Sequence, residues 1–297
     1  MARDNPGGST VHRRQLGRRL RNARTAARLS LVDAAAAVSR STSTLSRIES
    51  GDVPTRGPEV RLLCEVYEVD PAMTAALVAL ASETSARGWW HSYGDVIPAW
   101  FNVFLGMEET ASEFRQYEAE LVPGLFQTEA YARAVIATSD PDVGDDEIDH
   151  RVRVRRSRQV VVTREAARPT FRVVLNEAVI RRPVGGPHVM RAQCLRLAEL
   201  SELPHIDLRV VPFSAGQHPG MNTAAFVVLR FPDHGGNRLT DPPTVYVEGY
   251  SGALYLDQEH EVARYDQAFD RIVTAAGDPN GDKSREILWR AAQEALA

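Results

Sequence analysis

A run of small hydroxyl residues followed by an arginine lies between residues 41 and 47. The segment Ser41-Thr42-Ser43-Thr44-Leu45-Ser46-Arg47 contains five hydroxyl groups and one guanidinium group. Hydroxyl groups exchange hydrogen bonds with bases and phosphates, and an arginine can make a bidentate contact with guanine. On one face of a helix, this set of side chains suits the major groove of DNA.

Two short helices around a tight turn would position these side chains. Ser30 is a good N-cap for the first helix, and the polar segment 39–41 interrupts the apolar pattern before Ser41 caps the second. Gly51 lies just past the last turn of the second helix, where glycine is favoured. The apolar positions at helical spacing are Ala34, Ala35 and Val38 in the first helix and Leu45 and Ile48 in the second. The alternative interpretation is a solvated Ser/Thr-rich helix in an ordinary bundle.

The same segment resembles the helix-turn-helix of Xre/Cro-like regulators. The residues that match the family pattern are Leu29, Ser30, Asp33, Ala35, Ser41, Leu45, Ser46, Arg47, Ile48, Glu49 and Gly51. Two positions depart from the pattern: Leu31 stands where the family often has a DNA-contacting glutamine, and Arg40 where an apolar turn residue is usual.

The resemblance implies that the second helix binds double-stranded DNA in the major groove. The positions that correspond to base-contacting residues are Thr42, Ser43, Ser46 and Arg47, and those nearer the phosphates are Ser41 and Thr44. Arg40 and Ser30 complete the candidate DNA-binding set. We predict no catalytic, cofactor or metal site, since the sequence lacks the common catalytic and metal-binding motifs.

The charge distribution supports the same interpretation independently. Residues 1–60 contain eleven Arg and no Lys against five Asp plus Glu, a formal charge of +6, whereas the whole chain carries −4. A basic segment on an acidic body attracts phosphates locally. The alternative is that the arginines merely solvate a helix whose apolar stripe is Leu16, Leu20, Ala23 and Ala27. These arginines are Arg13, Arg14, Arg18, Arg19, Arg21, Arg24 and Arg28.

The length of 297 residues exceeds one ordinary domain. We predict a flexible N-terminus over 1–11, an all-α five-helix helix-turn-helix bundle over 12–82, and a larger α+β domain over 83–297. Pro58 and Pro71 are suited to open the fourth and fifth helices.

No long apolar run and no signal peptide is evident, so we expect a cytoplasmic protein. Cys64 and Cys194 have apolar neighbours and are expected to be buried thiols.

Three of the four tryptophans lie within residues 89–100. Aromatic residues this dense are costly to expose, so a packed segment is favoured over an aromatic lip around a ligand or a dimer seam.

Further along, helices are predicted at 128–137, 145–162, 259–275 and 283–296, with residues 107–120 passing from helix to strand. Strands are predicted at 171–175, 206–212, 225–231, 244–247 and 253–256. The arginines at 151, 153, 155, 156 and 158 are interpreted as a solvated helix face, with phosphate binding as the alternative.

The C-terminal region resembles the domain of unknown function that follows Xre-type modules in actinomycete antitoxin-like regulators. The resemblance rests on the segments 89–95, 117–128, 182–186, 208–220 and 245–248. It implies a small acidic partner protein and gives no ligand.

A search for catalytic motifs gives one weak constellation. Arg115, Asn222-Thr223 and Glu248 lie on or near predicted strands in the order used by ADP-ribosyltransferase-like folds, although an Arg–Glu pair at a surface is the commoner arrangement. The histidines are scattered, which argues against a metal cluster.

The sequence therefore predicts a DNA-binding transcriptional regulator, expected to be a homodimer. Its second domain is expected to sense a small ligand or bind the small partner protein. The alternatives are an antitoxin that acts mainly by protein binding, and an ADP-ribosyltransferase-like enzyme.

Overall fold

The computed structural model describes residues 10–83, 99–232, 242–249 and 252–296. The flexible N-terminus predicted over 1–11 lies outside this part of the chain except for Thr10 and Val11, which begin a helix, and the tryptophan-rich segment lies outside it except for its last two residues. The chain divides into two compact units, the second comprising Glu108–Pro232 and Pro242–Ala297. The predicted domain boundary at 82/83 adjoins residues 84–98, which are not described, and it stays a prediction. Within the described residues, no helix is long and apolar enough to cross a membrane.

The N-terminal part of the chain is built from five helices, as predicted. They are α1 (Thr10–Ala26), α2 (Leu31–Ala37), α3 (Thr42–Glu49), α4 (Gly57–Val66) and α5 (Pro71–Glu83). Pro58 lies in the first turn of α4, and the side chain of Asp70 accepts a hydrogen bond from the Met73 amide at the start of α5. Proline and aspartate suit these places because the first amides of a helix have no intrahelical partner.

One apolar core holds these helices together. Its fully buried members include Leu16, Leu20, Leu45, Leu63 and Leu77, one or two from each of α1, α3, α4 and α5. Full burial of a leucine side chain contributes about 1.5–3 kcal/mol. The apolar stripe predicted for α1 is therefore confirmed, and it fixes which side of α1 faces the other helices.

The second unit is an α+β domain, also as predicted. A six-stranded sheet has the order β3-β2-β1-β4-β5-β6. The first three strands are parallel and the last three antiparallel to their neighbours. The strands are β1 (Glu113–Glu118), β2 (Thr170–Asn176), β3 (Ile206–Val211), β4 (Phe226–Arg230), β5 (Thr244–Gly249) and β6 (Gly252–Leu256). The parallel half is joined by helical crossovers, which such strands require.

Eight described helices follow the first five in the chain. They are α6 (Ala99–Thr110), α7 (Glu129–Ser139), α8 (Asp145–Arg158), α9 (Val160–Thr163), α10 (Glu177–Arg181), α11 (Pro187–Ser201), α12 (Glu259–Ala276) and α13 (Asp282–Glu294). The helix predicted over 145–162 is divided at Gln159, whose side chain donates to the carbonyl of Gln127 at 2.7 Å. Thr128 caps α7 through its hydroxyl, as expected from its position.

The two faces of the sheet differ in character. On one face, α12 packs its Phe269 and Ile272 against Tyr117, Phe226 and Val245, and these side chains form a continuous apolar core. Because successive residues of a strand point to opposite faces, the neighbours of these residues in sequence lie on the other face. We call this second face the α8 face, because Tyr246 and Glu248 on it interact electrostatically with Arg158 of α8.

The interpretation of the α8 arginines as a solvated face is wrong for Arg158. This side chain is 7% exposed and donates from Nε and Nη2 to the two carboxylate oxygens of Glu108, each at 2.8 Å. Arg155 is half-buried and donates to Gln127 Oε1 at 2.7 Å. Arg153 remains on the exposed side of α8. The helix therefore turns part of its basic side toward the protein interior, where ion pairing offsets the cost of burial.

Candidate nucleic-acid interface

Two serine caps build the helix–turn–helix of the first unit. The Ser30 hydroxyl accepts a hydrogen bond from the Asp33 amide at 3.1 Å and donates to the Asp33 carboxylate at 2.6 Å. The Ser41 hydroxyl accepts from the Thr44 amide at 3.1 Å and lies 2.8 Å from the Thr44 hydroxyl. Each serine satisfies an amide that the helix itself cannot, so α2 and α3 begin where the sequence predicts.

Left-handed backbone conformations end both helices. Ser39, in the turn between α2 and α3, has φ 54°, and Gly51, after α3, has φ 77°. The Gly51 amide donates to the Ile48 carbonyl at 3.1 Å and closes the last turn of α3. Glycine takes this conformation without steric cost, whereas a non-glycine residue does so less readily. The predicted end of α3 is therefore confirmed.

The inward face of α3 is buried in the first unit. Leu45, Ile48 and Glu49 are buried, with 0%, 4% and 7% of their surface exposed. The outward face carries Thr42, Ser43, Ser46 and Arg47, all of which are exposed. Within the described residues, the side chains of these four residues form no hydrogen bond or ion pair. Their hydrogen-bonding groups are thus available to a ligand that covers this face.

The other predicted contact residues are already engaged in part. The hydroxyls of Ser30, Ser41 and Thr44 take part in the two caps. Arg40, in the turn, donates from Nε to Glu59 Oε1 of α4 at 3.0 Å, although half of its side chain stays exposed. Arg40 can be charged and exposed at a position that is usually apolar because this carboxylate lies next to it. Leu31, the other departure from the family pattern, packs against the apolar core.

An ion pair that the sequence analysis missed holds α3 to α1. Arg24 donates from Nε and Nη2 to the carboxylate of Glu49 at 2.7 and 3.0 Å, and from Nη1 to the Leu29 carbonyl at 2.7 Å. The hydrogen bond to Glu49 raises the pKa of the Arg24 guanidinium. Burial and the nearby Glu49 carboxylate raise the pKa of Tyr67. The sequence does contain one indication that Glu49 faces inward: it follows Leu45 by four residues, which places both on the same side of α3.

The arginines of α1 do not form one solvated face. Arg13 is 6% exposed, and burial lowers its pKa while Asp52 acts in the opposite direction. Arg24 joins the interior through Glu49, whereas Arg21 and Arg28 are exposed. The predicted basic surface is therefore smaller than the number of arginines suggests, because some of them stabilise the fold.

A close approach of two backbones fixes the distance between α1 and α3. Gly17 lies in α1 against the last turn of α3, where a Cβ atom would be 2.5 Å from the Ile48 carbonyl oxygen. Only glycine leaves room for this contact. Core packing, the Arg24–Glu49 pair and this contact together determine the orientation in which α3 presents its outward face.

The candidate enzyme constellation in the second unit is not assembled. Arg115 pairs in register with Val228, which pairs with Val245, so Arg115 shares the face of Val245. Glu248 is three residues further along β5 and therefore lies on the opposite face. Arg115 forms ion pairs with Glu113 and Asp266 at 2.9 and 3.3 Å. The sheet thus separates the arginine from the glutamate that the hypothesis requires.

Thr223, which belongs to the third part of the candidate enzyme constellation, donates its hydroxyl hydrogen to the Ala224 carbonyl at 3.1 Å.

No group of three or more His, Cys, Asp or Glu side chains suited to a metal ion occurs among the described residues. Cys64 and Cys194 are buried free thiols, as predicted, and burial raises the pKa of Cys194 to about 11. Such thiols are poor nucleophiles because the thiolate is disfavoured.

Comparison with known proteins gives a match to each part of the chain. Residues 15–77 match a family model described as a helix-turn-helix domain. Residues 101–290 match a model described as a domain of unknown function (DUF5753). No curated protein and no solved structure matches the chain. A helix-turn-helix domain is a DNA-binding architecture, typical of transcriptional regulators. The second match covers more than half of the sequence, and the chain therefore belongs to the DUF5753 family, with a helix-turn-helix domain ahead of that domain.

Proposed function

We propose that this protein is a sequence-specific transcriptional regulator that docks α3 in the major groove of DNA. The observation that carries the proposal is the outward face of α3, where Thr42, Ser43, Ser46 and Arg47 are exposed and unbonded within the described residues. An arginine there can form two parallel hydrogen bonds with guanine, and the hydroxyls can contact bases or phosphates.

The rigidity of α3 supports this role. The caps at Ser41 and Gly51 and the buried pair with Arg24 fix the helix before any ligand binds. A side chain held on a preformed helix loses less conformational freedom on binding than one on a loop. Discrimination between base sequences depends on such placement, since a contact formed at the wrong angle loses most of its energy.

The electrostatics support binding to a polyanion. The formal charge of +6 on residues 1–60 contrasts with the −4 of the whole chain. Arg21, Arg28 and Arg47 are exposed in the first unit and remain available to phosphates or bases. The acidic remainder discourages non-specific contact with DNA outside this region.

We propose further that the second unit regulates this activity by binding, without catalysis, a small ligand or a small acidic partner protein. The separation of Arg115 from Glu248 by the sheet weighs against the enzymatic alternative. A homodimer in the cytoplasm would suit the role, because two symmetric copies contact two half-sites about one helical turn apart.

The experiment is a fluorescence-anisotropy titration of the full-length protein against the DNA upstream of its own coding sequence, with a scrambled duplex as competitor, at physiological salt. We expect Arg47→Ala to weaken selective binding by about 5- to 150-fold, since a bidentate base contact contributes about 1–3 kcal/mol. The loss should be confined to the selective duplex.

The matched control is Arg191→Ala, which removes the same charge from an exposed position of α11 in the second unit. We expect its binding to remain within about twofold of the wild type, as for an exposed charge outside the predicted contact residues. Equal losses in the two variants would show that only net charge matters. Unchanged binding in Arg47→Ala would move the recognition surface away from α3.

A further inference from the structure

A cavity of about 410 Å³ opens at the surface of the first unit, where the end of α2, the inward side of α3 and the start of α4 meet. Its lining is mostly apolar, and its volume lies in the range of small-molecule sites. The lining residues are Val38, Arg40, Leu45, Ile48, Arg56, Pro58, Glu59, Leu62 and Leu63. All of them belong to the first unit, so the cavity is formed by that unit alone.

The floor of the cavity is part of the apolar core of the first unit. Leu45, Ile48 and Leu63 are all buried there. Leu62 also lines the cavity, but 43% of its surface is exposed, although its neighbour Leu63 is fully buried. A ligand with an apolar body would cover Leu62 and remove further apolar surface from water, which is favourable.

The rim of the cavity carries a net positive charge. Arg56 is exposed, and within the described residues its side chain forms no hydrogen bond or ion pair. Arg40 also lies at the rim, where its Nε donates to Glu59 Oε1 at 3.0 Å. Two arginines and one glutamate among the lining residues leave a formal charge of +1. The rim therefore has one cationic group that lacks an anionic partner.

The backbone adds to the positive charge at the same place. Arg56 is the N-cap residue of α4, and among the described residues no side chain caps the first turn of this helix. The amides at a helix N-terminus carry a partial positive charge, which favours an anion nearby. Pro58 has no amide hydrogen to donate, so the Arg56 side chain must supply most of the hydrogen bonds to such an anion.

We propose that this cavity binds a small amphipathic carboxylate, whose apolar body contacts Leu45, Ile48 and Leu62 and whose carboxylate group contacts Arg56. An arginine can hold a carboxylate through two parallel hydrogen bonds. A small hydrophilic anion would leave the apolar lining uncovered, and a neutral apolar molecule would leave the Arg56 charge without a partner. The chemistry of the lining thus favours a ligand that combines both properties.

The bound carboxylate would also act on the proposed function of the first unit. Arg40, at the same rim, is one of the predicted DNA-binding residues, and a negative charge beside it reduces its attraction for phosphates. Ligand binding should therefore weaken DNA binding. This consequence rests on the proposed function, whereas binding of the carboxylate itself does not.

Calorimetric titration of the full-length protein tests the ligand class. The probes are octanoate and phenylbutyrate, and the controls are octanol, octylammonium and acetate, which lack the charge, reverse it or lack the apolar body. We expect at least one probe to bind about tenfold more tightly than every control, because a charge-assisted hydrogen bond is among the stronger contacts. Failure of both probes to bind, or equal binding of any control, would overturn the proposal.

Nuclear magnetic resonance of the methyl-labelled full-length protein locates the bound octanoate. The methyl signals of Val38, Leu45 and Leu62 should shift during the titration, because these side chains line the cavity. The signals of Val228 and Val245, in the core of the second unit, should not move. Shifts confined to the second unit would overturn the assignment.

Variants at exposed positions test the lining residues. We expect Arg56→Gln and Leu62→Gln each to weaken octanoate binding by about fivefold or more, since one removes the charged partner and the other removes apolar contact. The matched controls Arg61→Gln and Val32→Gln change exposed residues of α4 and α2 that do not line the cavity, and they should bind normally. Normal binding in both test variants, or equal losses in the test and control variants, would refute the assignment.

Glu59→Gln gives a change that damage to the fold would not produce. It removes the carboxylate that competes for the arginines at the rim, so octanoate should bind about two- to tenfold more tightly. Circular dichroism checks that each variant is folded. Unchanged or weaker binding of octanoate by folded Glu59→Gln would contradict the proposed position of the carboxylate group.

The effect on DNA is measured by repeating the anisotropy titration with octanoate near saturation, and with acetate at the same concentration as the control. Octanoate should weaken DNA binding by about fivefold or more, and DNA should weaken octanoate binding by the same factor, because coupling between two sites is reciprocal. Octanoate binding that leaves DNA binding unchanged would overturn this coupling. Absence of selective DNA binding without octanoate would instead refute the proposed function, and the calorimetric result would still decide whether the cavity binds the carboxylate.

Discussion

Gly17 is a point of close backbone approach between α1 and α3, and its replacement by alanine tests what positions α3. A Cβ atom at residue 17 would lie 2.5 Å from the carbonyl oxygen of Ile48 and 2.7 Å from that of Glu49. Both obstacles are backbone atoms, so no side-chain rotation can relieve the overlap. The last turn of α3 or the whole of α1 must move for alanine to fit.

The expected sign is opposite to that of helix propensity. In an unconstrained helix, glycine to alanine gains about 1 kcal/mol. Here the contact must lengthen at least to 3.0 Å, the shortest distance that real Cβ atoms show. Forcing an extra carbon into a packed interior costs about 1–3 kcal/mol, and more when backbone must shift. We therefore expect a net loss of about 1–3 kcal/mol in the free energy of opening of the first unit.

Hydrogen exchange of the full-length protein, followed by mass spectrometry, measures this loss locally. Peptides from α1 and α3 should exchange about 5- to 150-fold faster in Gly17→Ala than in the wild type. Peptides from β1 should be unchanged. The matched control is Gly57→Ala in α4, where the added Cβ would meet only Val78 Cγ1 at an ordinary 3.4 Å.

Exchange in Gly57→Ala should be equal to or slower than in the wild type, because propensity is then the main effect. Equal or slower exchange in Gly17→Ala would refute the reasoning, since it would mean that the two backbones are not in tight contact. Selective DNA binding by Gly17→Ala should weaken in parallel if the contact determines the orientation of α3.

Three further predictions concern buried and capping groups. Arg158→Met should lower the free energy of unfolding of the second unit by about 3–5 kcal/mol in urea titrations, because Glu108 is left buried and unpaired. The double variant Arg158→Met/Glu108→Leu should recover most of that loss, and an equal loss in the single and double variants would contradict this explanation. Ser41→Ala should cost about 1 kcal/mol and speed exchange in α3, whereas Ser41→Asp should keep the cap to Thr44. Glu118 binds its proton more tightly in the folded state, so the free energy of unfolding should fall as pH rises from about 4.5 to 8. Glu118→Gln should remove about 1–3 kcal/mol of that fall, a range that is discounted because the Glu118 side chain has partial access to solvent. Parallel pH profiles of the variant and the wild type would show that folding does not raise the pKa of Glu118.

The local features of the first unit were predictable from sequence. Ser30 and Ser41 act as caps through amides three residues away, and Leu45 and Ile48 face inward because helical geometry puts them on one side. These properties depend on neighbours within one or two turns, which the sequence displays directly. Gly51 ends α3 for an equally local reason.

Contacts between distant segments were not predictable. Arg24 and Glu49 are 25 residues apart, and Arg158 and Glu108 are 50 apart. A basic residue on a predicted helix surface has the same local pattern whether it faces water or a buried carboxylate. Only the tertiary arrangement decides between the two, and it decided against full solvation for Arg24 and Arg158.

The same limit applies to sheet register. The strands were located from β-favouring residues between turns, but which residues share a face across β1, β4 and β5 depends on pairings that no local pattern specifies. That register separated Arg115 from Glu248. It also brought Gln116 and Glu118 to the face of Tyr246, a combination that the sequence analysis did not anticipate.

The inward residues of α3 pack in the core and its outward residues do not, and this difference determines which positions can change as the protein diverges in evolution. Leu45, Ile48 and Glu49 are bound to the interior, and Glu49 cannot change alone without leaving Arg24 buried beside a missing partner. The outward residues at 42, 43, 46 and 47 hold nothing else in the described part of the chain. Duplicated copies can therefore acquire new sequences at these four positions by single substitutions without repacking the domain, whereas the Arg24–Glu49 pair must be inherited or replaced together.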